Sequence, residues 1–308
     1  MRLRAYSLML LVVAVWGSTF VLIKGALTDS TPAAFNLVRM TLAFTLLAIA
    51  YHRAWHGIRW SQIAAGALVG LFLAGGYQFQ TIALVRTTPS KSAFITGLVV
   101  VLVPLFSTVP ALRPPGARLP RWNAYTGAAL AFAGILLLTA PAAVASTGLA
   151  RLLPDFSSVN KGDILTLGCS VAFALHCIAL SHASPRISFQ PLALLQIGFC
   201  AVFMGVSLPF IEHPQIHFTL RLVFAVIIAA ALATAAAFSI QSWAQSILPA
   251  THIALLLTME PVFAWLTSFL FAGERMGLRP ASGALLILAG IALTELVPQT
   301  HVPSAHEA

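Results

Sequence analysis

The stretch LLLTMEPVFAWL, residues 255–266, places a carboxylate and a proline inside a run of apolar residues. An ionised Glu260 in the middle of a membrane helix costs roughly 2.5–3.5 kcal/mol on insertion scales, so it should face water or a polar partner. Pro261 has no amide hydrogen, and inside a helix it releases the carbonyl of Leu257. The pair therefore predicts a kinked membrane helix whose irregular point faces a polar interior rather than lipid.

The composition of the 308-residue chain indicates that most of it lies in lipid. Hydrophobic residues make up 59% and charged residues 8% of the chain, and the mean hydropathy is +0.92. Soluble domains carry roughly 25% charged residues. The net charge of +9 is spread over short loops, which is typical of topology signals beside membrane spans and not of a nucleic-acid partner. We therefore predict an all-α integral membrane protein.

Ten apolar stretches approach the length of roughly 20 residues that a spanning helix needs. They lie at about 5–27, 33–51, 62–84, 91–112, 122–140, 162–182, 190–211, 220–246, 251–272 and 279–297. A longer polar stretch at 141–161 divides them into five and five. The predicted organisation is a five-helix unit at 1–140, a linker at 141–161, a second five-helix unit at 162–297 and a C-terminal tail at 298–308.

The two halves of the chain show an internal repeat at a nearly constant offset. At 157 residues the aligned pairs are Trp16 with Phe173, Thr19 with His176, Arg39 with Gln196 and Pro104 with Pro261. The offset becomes 161 around the third and fourth spans and 156 in the last span of each half. Because five is odd, two tandem units must enter the membrane in opposite orientations. This inverted repeat is typical of secondary transporters, which bind substrate between the units.

The loop charges predict the orientation in the membrane from the first half. Its arginines lie mostly in the N-terminal segment and in the loops on that side, which indicates cytoplasmic termini in a cell (inner) membrane. The second half gives the opposite signal, since Lys161, Arg221, Arg275 and Arg279 fall on the other side. We keep ten spans with both termini in the cytoplasm and note the conflict.

Four segments resemble the EamA-type permeases of the drug/metabolite transporter superfamily. They are Trp16-Gly17-Ser18, TTPSKSAFITGLVVVLVP at 87–104, LPATHIALLLTMEPVFAWL at 248–266 and Gly273-Glu274. The resemblance covers both halves and implies ten helices in inverted five-helix repeats, with export or exchange of small metabolites such as amino acids. The first half departs from the pattern, because RPPGARLPR precedes Trp122 where a Gly-Glu pair would stand, and Val103 precedes Pro104.

Polar and aromatic residues inside the apolar spans are the candidate substrate-binding residues. Arg39 fits either an anionic group in a cavity or a snorkelling side chain near the membrane edge. Two polar stripes at helical spacing fit a cavity lining or bonds between helices. The candidates are Trp16, Arg39, Tyr77, Gln80, His176, Gln241 and Gln245.

Pro104 and Pro261 are predicted helix kinks around that cavity, since they hold corresponding positions in the repeat. Glu260 has two competing interpretations, a proton-coupling site and a structural hydrogen-bond acceptor. The first span carries no carboxylate, which argues against simple exchange of a cation for protons.

The predicted function is a secondary transporter, an exporter or exchanger of a small polar or amphipathic metabolite, that works by alternating access. The expected partners are this substrate, protons as a candidate coupling ion, and membrane lipid, in a monomer or homodimer. No metal or cofactor is expected, because no Walker motif is present and the His52/His56 and His213/His217 pairs lie in loops with poor ligand support. The alternatives are a broad exporter of drugs or lipophiles, and a membrane sensor or intramembrane enzyme.

Overall fold

The computed structural model describes residues 2–113, 121–139, 160–245, 247–248, 256–257 and 259–296. In this part of the chain the regular structure is helical. The helices are α1 Arg2–Ala26, α2 Pro32–Ala50, α3 Trp60–Leu84, α4 Pro89–Thr96, α5 Val99–Phe106, α6 Trp122–Thr139, α7 Lys161–Ala183, α8 Phe189–Ile211, α9 Leu220–Ala230, a π-helical segment Ala231–Ala236 that leads into α10 Ala237–Gln245, α11 Glu260–Ala272 and α12 Leu278–Leu296.

Seven helical segments in the described part of the chain are long and apolar enough to cross a membrane. Two of them combine consecutive elements, Pro89–Phe106 and Leu220–Gln245. Three further apolar helices, Trp122–Leu138, Glu260–Ala272 and Leu278–Leu293, are shorter. The structure thus agrees with a multi-pass helical membrane protein, and the arrangement as ten spans in inverted repeats stays a prediction.

Short polar side chains begin several of the helices. Thr88 and Thr219 accept hydrogen bonds from backbone amides three residues ahead, at the starts of α4 and α9. Asn160 accepts from the amide of Gly162 at the start of α7. These bonds satisfy amide groups that have no partner within the helix, so the polar residues between the apolar stretches determine where the helices begin.

The two prolines differ in their local structure. Pro104 lies inside α5, as predicted. The helical segment that contains it is interrupted earlier, at Gly97 and Leu98 between α4 and α5. Pro261 lies in the first turn of α11, where a missing amide hydrogen leaves no intrahelical bond unmade. The predicted kink at Pro261 stays a prediction, because residues 256–257 before this helix start are also helical and residues 249–255 and 258 lie outside the described residues.

The contacts between helices of the two halves can be compared with the predicted repeat, in which each helix of the first half has a mate in the second half. Helix α1 packs on α11, and its repeat mate α7 packs on α4 and α5. Helix α3 packs on α7 and α8, while the α9–α10 segment packs on α1 and α2. The pairs α2 with α8 and α6 with α12 join repeat mates directly. These contacts between the halves thus occur in corresponding pairs, while the inverted orientation of the halves stays a prediction.

The α6–α12 pair is in backbone contact at glycines. A Cβ atom at Gly134 would lie 2.6 Å from the carbonyl oxygen of Gly283, and one at Gly283 would lie 2.5 Å from that of Gly134. Gly290 lies in the same way against the carbonyl of Gly127. Only glycine permits this approach, which is a common way to join helices in lipid.

Candidate functional site

Helices of both halves enclose a cavity with an empty volume of about 830 Å³, its mouth included. The lining comes from α1, α2 and α3, from the α4–α5 junction, and from α7, α10 and α11. The residues are Trp16, Thr19, Phe20, Ile23, Arg39, Tyr77, Gln80, Thr81, Leu84, Thr96, Gly97, Val99, Val100, Phe173, His176, Cys177, Phe238, Gln241, Leu257 and Glu260. Most are apolar or aromatic, and a small number of polar groups converge among them, as in most small-molecule sites.

The cavity brings together almost all the residues selected from the sequence. Trp16, Arg39, Tyr77, Gln80, His176, Gln241 and Glu260 line it. Gln245 does not, which corrects its predicted place in the lining. It is the last residue of α10, one helical turn beyond Gln241 and roughly 6 Å further along the axis. Val100 and Leu257, whose carbonyls cannot bond to Pro104 and Pro261, also line the cavity.

Arg39 is the most deeply buried charged group in this lining, with 1% of its surface exposed. Its Nε donates to the hydroxyl of Thr234 at 2.8 Å, and its Nη2 donates to the Tyr77 hydroxyl at 3.2 Å. The guanidinium carbon also lies 4.4 Å from the centre of the Tyr77 ring, within range of a cation–π interaction. Nη1 is buried and has no hydrogen-bond partner. The snorkelling interpretation therefore does not fit, because the side chain points into the protein.

The π-helical segment Ala231–Ala236 supplies acceptors to the cavity wall. The carbonyl of Ala233 accepts from Trp16 Nε1 at 2.8 Å and from Arg39 Nη2 at 3.4 Å. Thr234 donates its hydroxyl hydrogen to the carbonyl of Ala229, five residues back, at 2.8 Å. A π-helical turn changes the normal bonding ladder, which makes such carbonyl contacts available. No sequence signal in ALATAA indicated this turn.

Phe238 lies at the centre of an aromatic cluster in the cavity. Its ring centroid is 5.5 Å from that of Trp16, 6.3 Å from that of Tyr77 and 5.8 Å from that of His176. Tyr77 also meets Phe173 edge to face at 5.3 Å. These separations fall within the range of favourable aromatic pairs. Phe238 is not among the candidate residues selected from the sequence.

His176 is buried and is hydrogen-bonded through Nε2 to the side-chain oxygen of Gln196 at 3.0 Å. Gln196 is the repeat mate of Arg39, and its side-chain nitrogen is buried without a partner. Helices α2 and α8, which carry Arg39 and Gln196, pack on each other. The sequence has a polar residue at this repeat position in both halves. In the structure, the two helices that carry these residues are packed together.

Glu260 is half-buried at the start of α11 and lines the cavity. Within the described part of the chain it forms no ion pair. Its backbone carbonyl lies against α1, since a Cβ atom at Gly17 would be 2.7 Å from that oxygen. The Trp16-Gly17-Ser18 segment and the Glu260-Pro261 pair, far apart in the sequence, are thus in contact at the cavity wall.

The other four carboxylates with described side chains, Asp29, Asp163, Glu212 and Glu274, lie at one end of the molecule, which we call the carboxylate end. Each accepts hydrogen bonds from the opposite half of the chain. Glu212 accepts from the backbone amide of Ala34, at the start of α2, at 2.8 Å. A carboxylate at a helix N-terminus is favoured by the helix dipole. Carboxylates thus join the halves at this end.

Asp29 forms the most extensive of these connections. Arg221 contacts both of its oxygens, with N–O distances of 2.8 and 2.9 Å, and the Thr219 hydroxyl donates to it at 2.7 Å. The hydrogen bond from Arg221 and then that from Thr219 lower the pKa of the Asp29 carboxyl below its ordinary value. Nearby, Ser30 and Ile216 form an antiparallel backbone bridge. The connectors 27–31 and 212–219 are therefore closely tied.

Two further connections involve the α3–α4 connector and the ends of α1, α7 and α11. Asp163 accepts from the hydroxyl of Thr87 and lies 3.8 Å from the Lys91 ammonium group. Lys24 donates to the carbonyl of Leu84 at 2.6 Å, which satisfies a free acceptor at the end of α3. Glu274 accepts from Ser90 at 2.9 Å and from a serine of α11. The sequence analysis did not single out Asp29, Asp163 or Glu212, although the rarity of acidic residues was a usable signal.

Helices from both halves of this multi-pass helical protein enclose the cavity, an arrangement typical of membrane transport proteins. The profile of the EamA-like transporter family matches residues 3–140 and again residues 160–296, and the chain belongs to this family, within the drug/metabolite transporter superfamily.

Relatives agree with this assignment, and a solved structure shares the fold. A protein of Archaeoglobus fulgidus that is named an uncharacterized transporter is 30% identical over 306 residues, which cover 96% of this chain and 87% of that protein. The uncharacterized transporter YdfC of Bacillus subtilis is 22% identical over 304 residues, or 96% of this chain and 93% of that protein. A solved crystal structure with 20% identity has the same fold, with a TM-score of 0.63 over 94% of this chain and 96% of that chain.

Proposed function

We propose that the chain is a secondary transporter that carries a small amphipathic metabolite through the central cavity by alternating access. The observation that carries the proposal is the composition of the cavity wall, where helices from both halves contribute aromatic surface and convergent polar groups. In transporters built from repeats, such a position between units is where substrate binds and where movement of one unit against the other changes access.

The contacts between the halves support this mechanism. Because the carboxylate end joins the halves through Asp29, Asp163, Glu212 and Glu274, opening of that end requires these bonds to break. At the other end, an apolar cluster that includes Ala5, Met9, Ala244 and Leu248 lies between α1 and the α10 region. Alternate separation of these two contact regions would expose the cavity first to one side and then to the other.

The proposed setting is the cell inner membrane with the N-terminus in the cytoplasm. The arginines near the N-terminus and in the loops on that side support this orientation. The carboxylate end then faces away from the cytoplasm. We interpret the cavity as a transport site rather than an active site, since the relatives above are named as transporters.

Transport by the purified protein in proteoliposomes tests the proposal. A panel of labelled amphipathic metabolites, amino acids among them, is offered with and without a pH gradient, and accumulation is compared with that in protein-free vesicles. Arg53→Gln serves as a matched control, because Arg53 is exposed and remote from the lining. Saturable movement of at least one compound is expected. Movement of none, by a protein that remains folded, would contradict the proposal.

The aromatic cluster favours one alternative, broad export of lipophilic compounds. Trp16, Phe173 and Phe238 would accept flat apolar molecules of many kinds. The two functions differ in their need for Arg39. A lipophile exporter should tolerate Arg39→Gln for its neutral substrates, whereas a metabolite transporter that recognises polar groups should lose most of its transport.

A further inference from the structure

Arg39 enters the cavity with one guanidinium nitrogen unused. We propose that this nitrogen, Nη1, binds the carboxylate of an organic monoanion, while the aromatic cluster around Phe238 holds the apolar body of the same molecule. This inference rests on the proposed function, because it names the substrate class of the same cavity.

The hydrogen-bond arrangement of Arg39 leaves one guanidinium nitrogen without an acceptor. A guanidinium group has five N–H donors. Nε is bonded to Thr234, and Nη2 is bonded to the Tyr77 hydroxyl and to the carbonyl of Ala233. The two N–H groups of Nη1 are buried without a partner. A buried donor on a charged group is strongly unfavourable when it stays unpaired, so a ligand oxygen at this point stabilises the site.

The protein supplies no fixed counterion to Arg39 within its described residues. The ion pairs there join Lys91 to Asp163 and Arg221 to Asp29, both at the carboxylate end. A bound anion would therefore provide the charge that balances Arg39. Arg39 is the one arginine or lysine among the described residues that line the cavity, so the second charge of a dianion would be buried there without a cationic side chain to balance it. This arrangement favours a monoanion over a dianion.

The surroundings of Arg39 indicate the shape of the rest of the ligand. Tyr77 contacts Arg39 through both its hydroxyl and its ring face. The same tyrosine packs edge to face on Phe173 and on Phe238, and Phe238 packs on Trp16. The charged point of the cavity is thus continuous with its aromatic surface. An arylalkyl carboxylate, with a flat ring a short distance from its charge, matches both features.

The test uses two probes of the same shape, 3-phenylpropionate and 3-phenylpropionamide, which differ in carrying a charged carboxylate or a neutral amide. Binding to the purified full chain in detergent is measured by titration calorimetry near neutral pH. We expect the wild-type protein to bind the carboxylate at least about tenfold more tightly than the amide, as loss of one charge-assisted hydrogen bond implies. Arg39→Gln should remove this preference by weakening the carboxylate alone. Arg53→Gln should keep it, because Arg53 is exposed.

Each outcome supports or overturns the inference. Equal affinity of the wild type for both probes overturns it without any variant, and so does a preference that persists in Arg39→Gln. If Arg39→Gln does not fold, Arg39→Lys retains the positive charge and should retain a preference for the carboxylate. A folded Arg39→Lys variant that binds the amide as tightly as the carboxylate, or more tightly, overturns the inference.

Transport and binding failures are distinguishable. Calorimetry needs no membrane gradient, so a protein that binds the carboxylate through Arg39 but moves no compound in proteoliposomes contradicts the proposed function and leaves the carboxylate site intact. A protein that transports compounds without a preference for the carboxylate contradicts the carboxylate site and leaves the proposed function intact.

Discussion

Gly17 of α1 lies directly against the backbone of Glu260, so that a Cβ atom at Gly17 would be 2.7 Å from the Glu260 carbonyl oxygen. The same atom would lie 2.7 Å from Cβ of Phe263 and 2.9 Å from the backbone nitrogen of Ala264. Because two of these neighbours are backbone atoms, a small rotation of a side chain cannot relieve the contact. The close approach of the start of α11 to α1, which places the Glu260 carboxylate at the cavity, therefore depends on glycine at position 17.

Gly17→Ala should separate α1 from α11 and destabilise the protein. Overpacking of a close contact costs roughly 1–3 kcal/mol. Thermal unfolding of the purified protein in detergent should show a lower midpoint. The matched control is Gly25→Ala on the same helix, where the nearest atom to a new Cβ would be 4.0 Å away. Equal midpoints for the two variants would contradict the predicted contact.

Glu260→Gln separates the two hypotheses for this carboxylate, because glutamine keeps the shape but does not titrate. If Glu260 carries a coupling proton, accumulation driven by a pH gradient should disappear while counterflow exchange persists. If its role is structural, the Gln variant should behave as wild type, and Glu260→Ala should destabilise by roughly 1–3 kcal/mol through unpaired partners. Uptake and counterflow are measured side by side. Intact gradient-driven uptake in the Gln variant rules out the coupling role.

Single cysteines at Tyr77, Gln80 and Gln241 should react with water-soluble thiol reagents, because these residues line the cavity. The background for this experiment has Cys169, Cys177 and Cys200 replaced. A cysteine at Gln245 should react more slowly, since that residue lies outside the lining. Labelling rates are read by mass spectrometry. Protection of all three cavity positions would favour helix packing over a solvent-accessible lining.

Thr234→Val should disturb Arg39 without changing the shape of the wall. The substitution removes the acceptor of the Arg39 Nε hydrogen bond, and a buried donor left unpaired costs roughly 1–3 kcal/mol. The preference for 3-phenylpropionate over its amide should fall. Ser239→Ala is the control, because that hydroxyl bonds only to the carbonyl of Ala235 one turn back among the described contacts. An unchanged preference in Thr234→Val would mean that the threonine does not position Arg39.

The Asp29–Arg221 connection should weaken in acid. The pKa of the Asp29 carboxyl is lowered by its bond to Arg221 and then by that to Thr219. A lowered folded-state pKa means that the carboxylate stabilises the fold above its ordinary pKa of about 4, and that this stabilisation is lost as pH falls through the lower folded-state value. Thermal midpoints of the wild type and Asp29→Asn should therefore differ at pH 6 and converge in acid. A constant difference would contradict the ionic role.

The positions of the helices and most of the cavity residues were predictable from local patterns. Long apolar runs require internal backbone hydrogen bonds in lipid, which leaves the helix as the available structure. Polar residues such as Arg39 and Glu260 inside these runs must avoid lipid, and the structure brings them to one cavity. The family resemblance likewise depended on short segments such as Trp16-Gly17-Ser18, and the family profile matches both halves.

Only the tertiary structure decided which of these residues meet and how their bonds are satisfied. Gln245 follows the same polar stripe as Gln241 but lies beyond the lining, because the stripe repeats along the helix while the cavity has a limited depth. Pro261 lies in the first turn of α11, one turn after the helical residues 256–257. The π-helical turn that presents the Ala233 carbonyl to Trp16 and Arg39 has no signal in a run of alanines. Such features arise from contacts between distant segments, and periodicity within one segment carries no information about them.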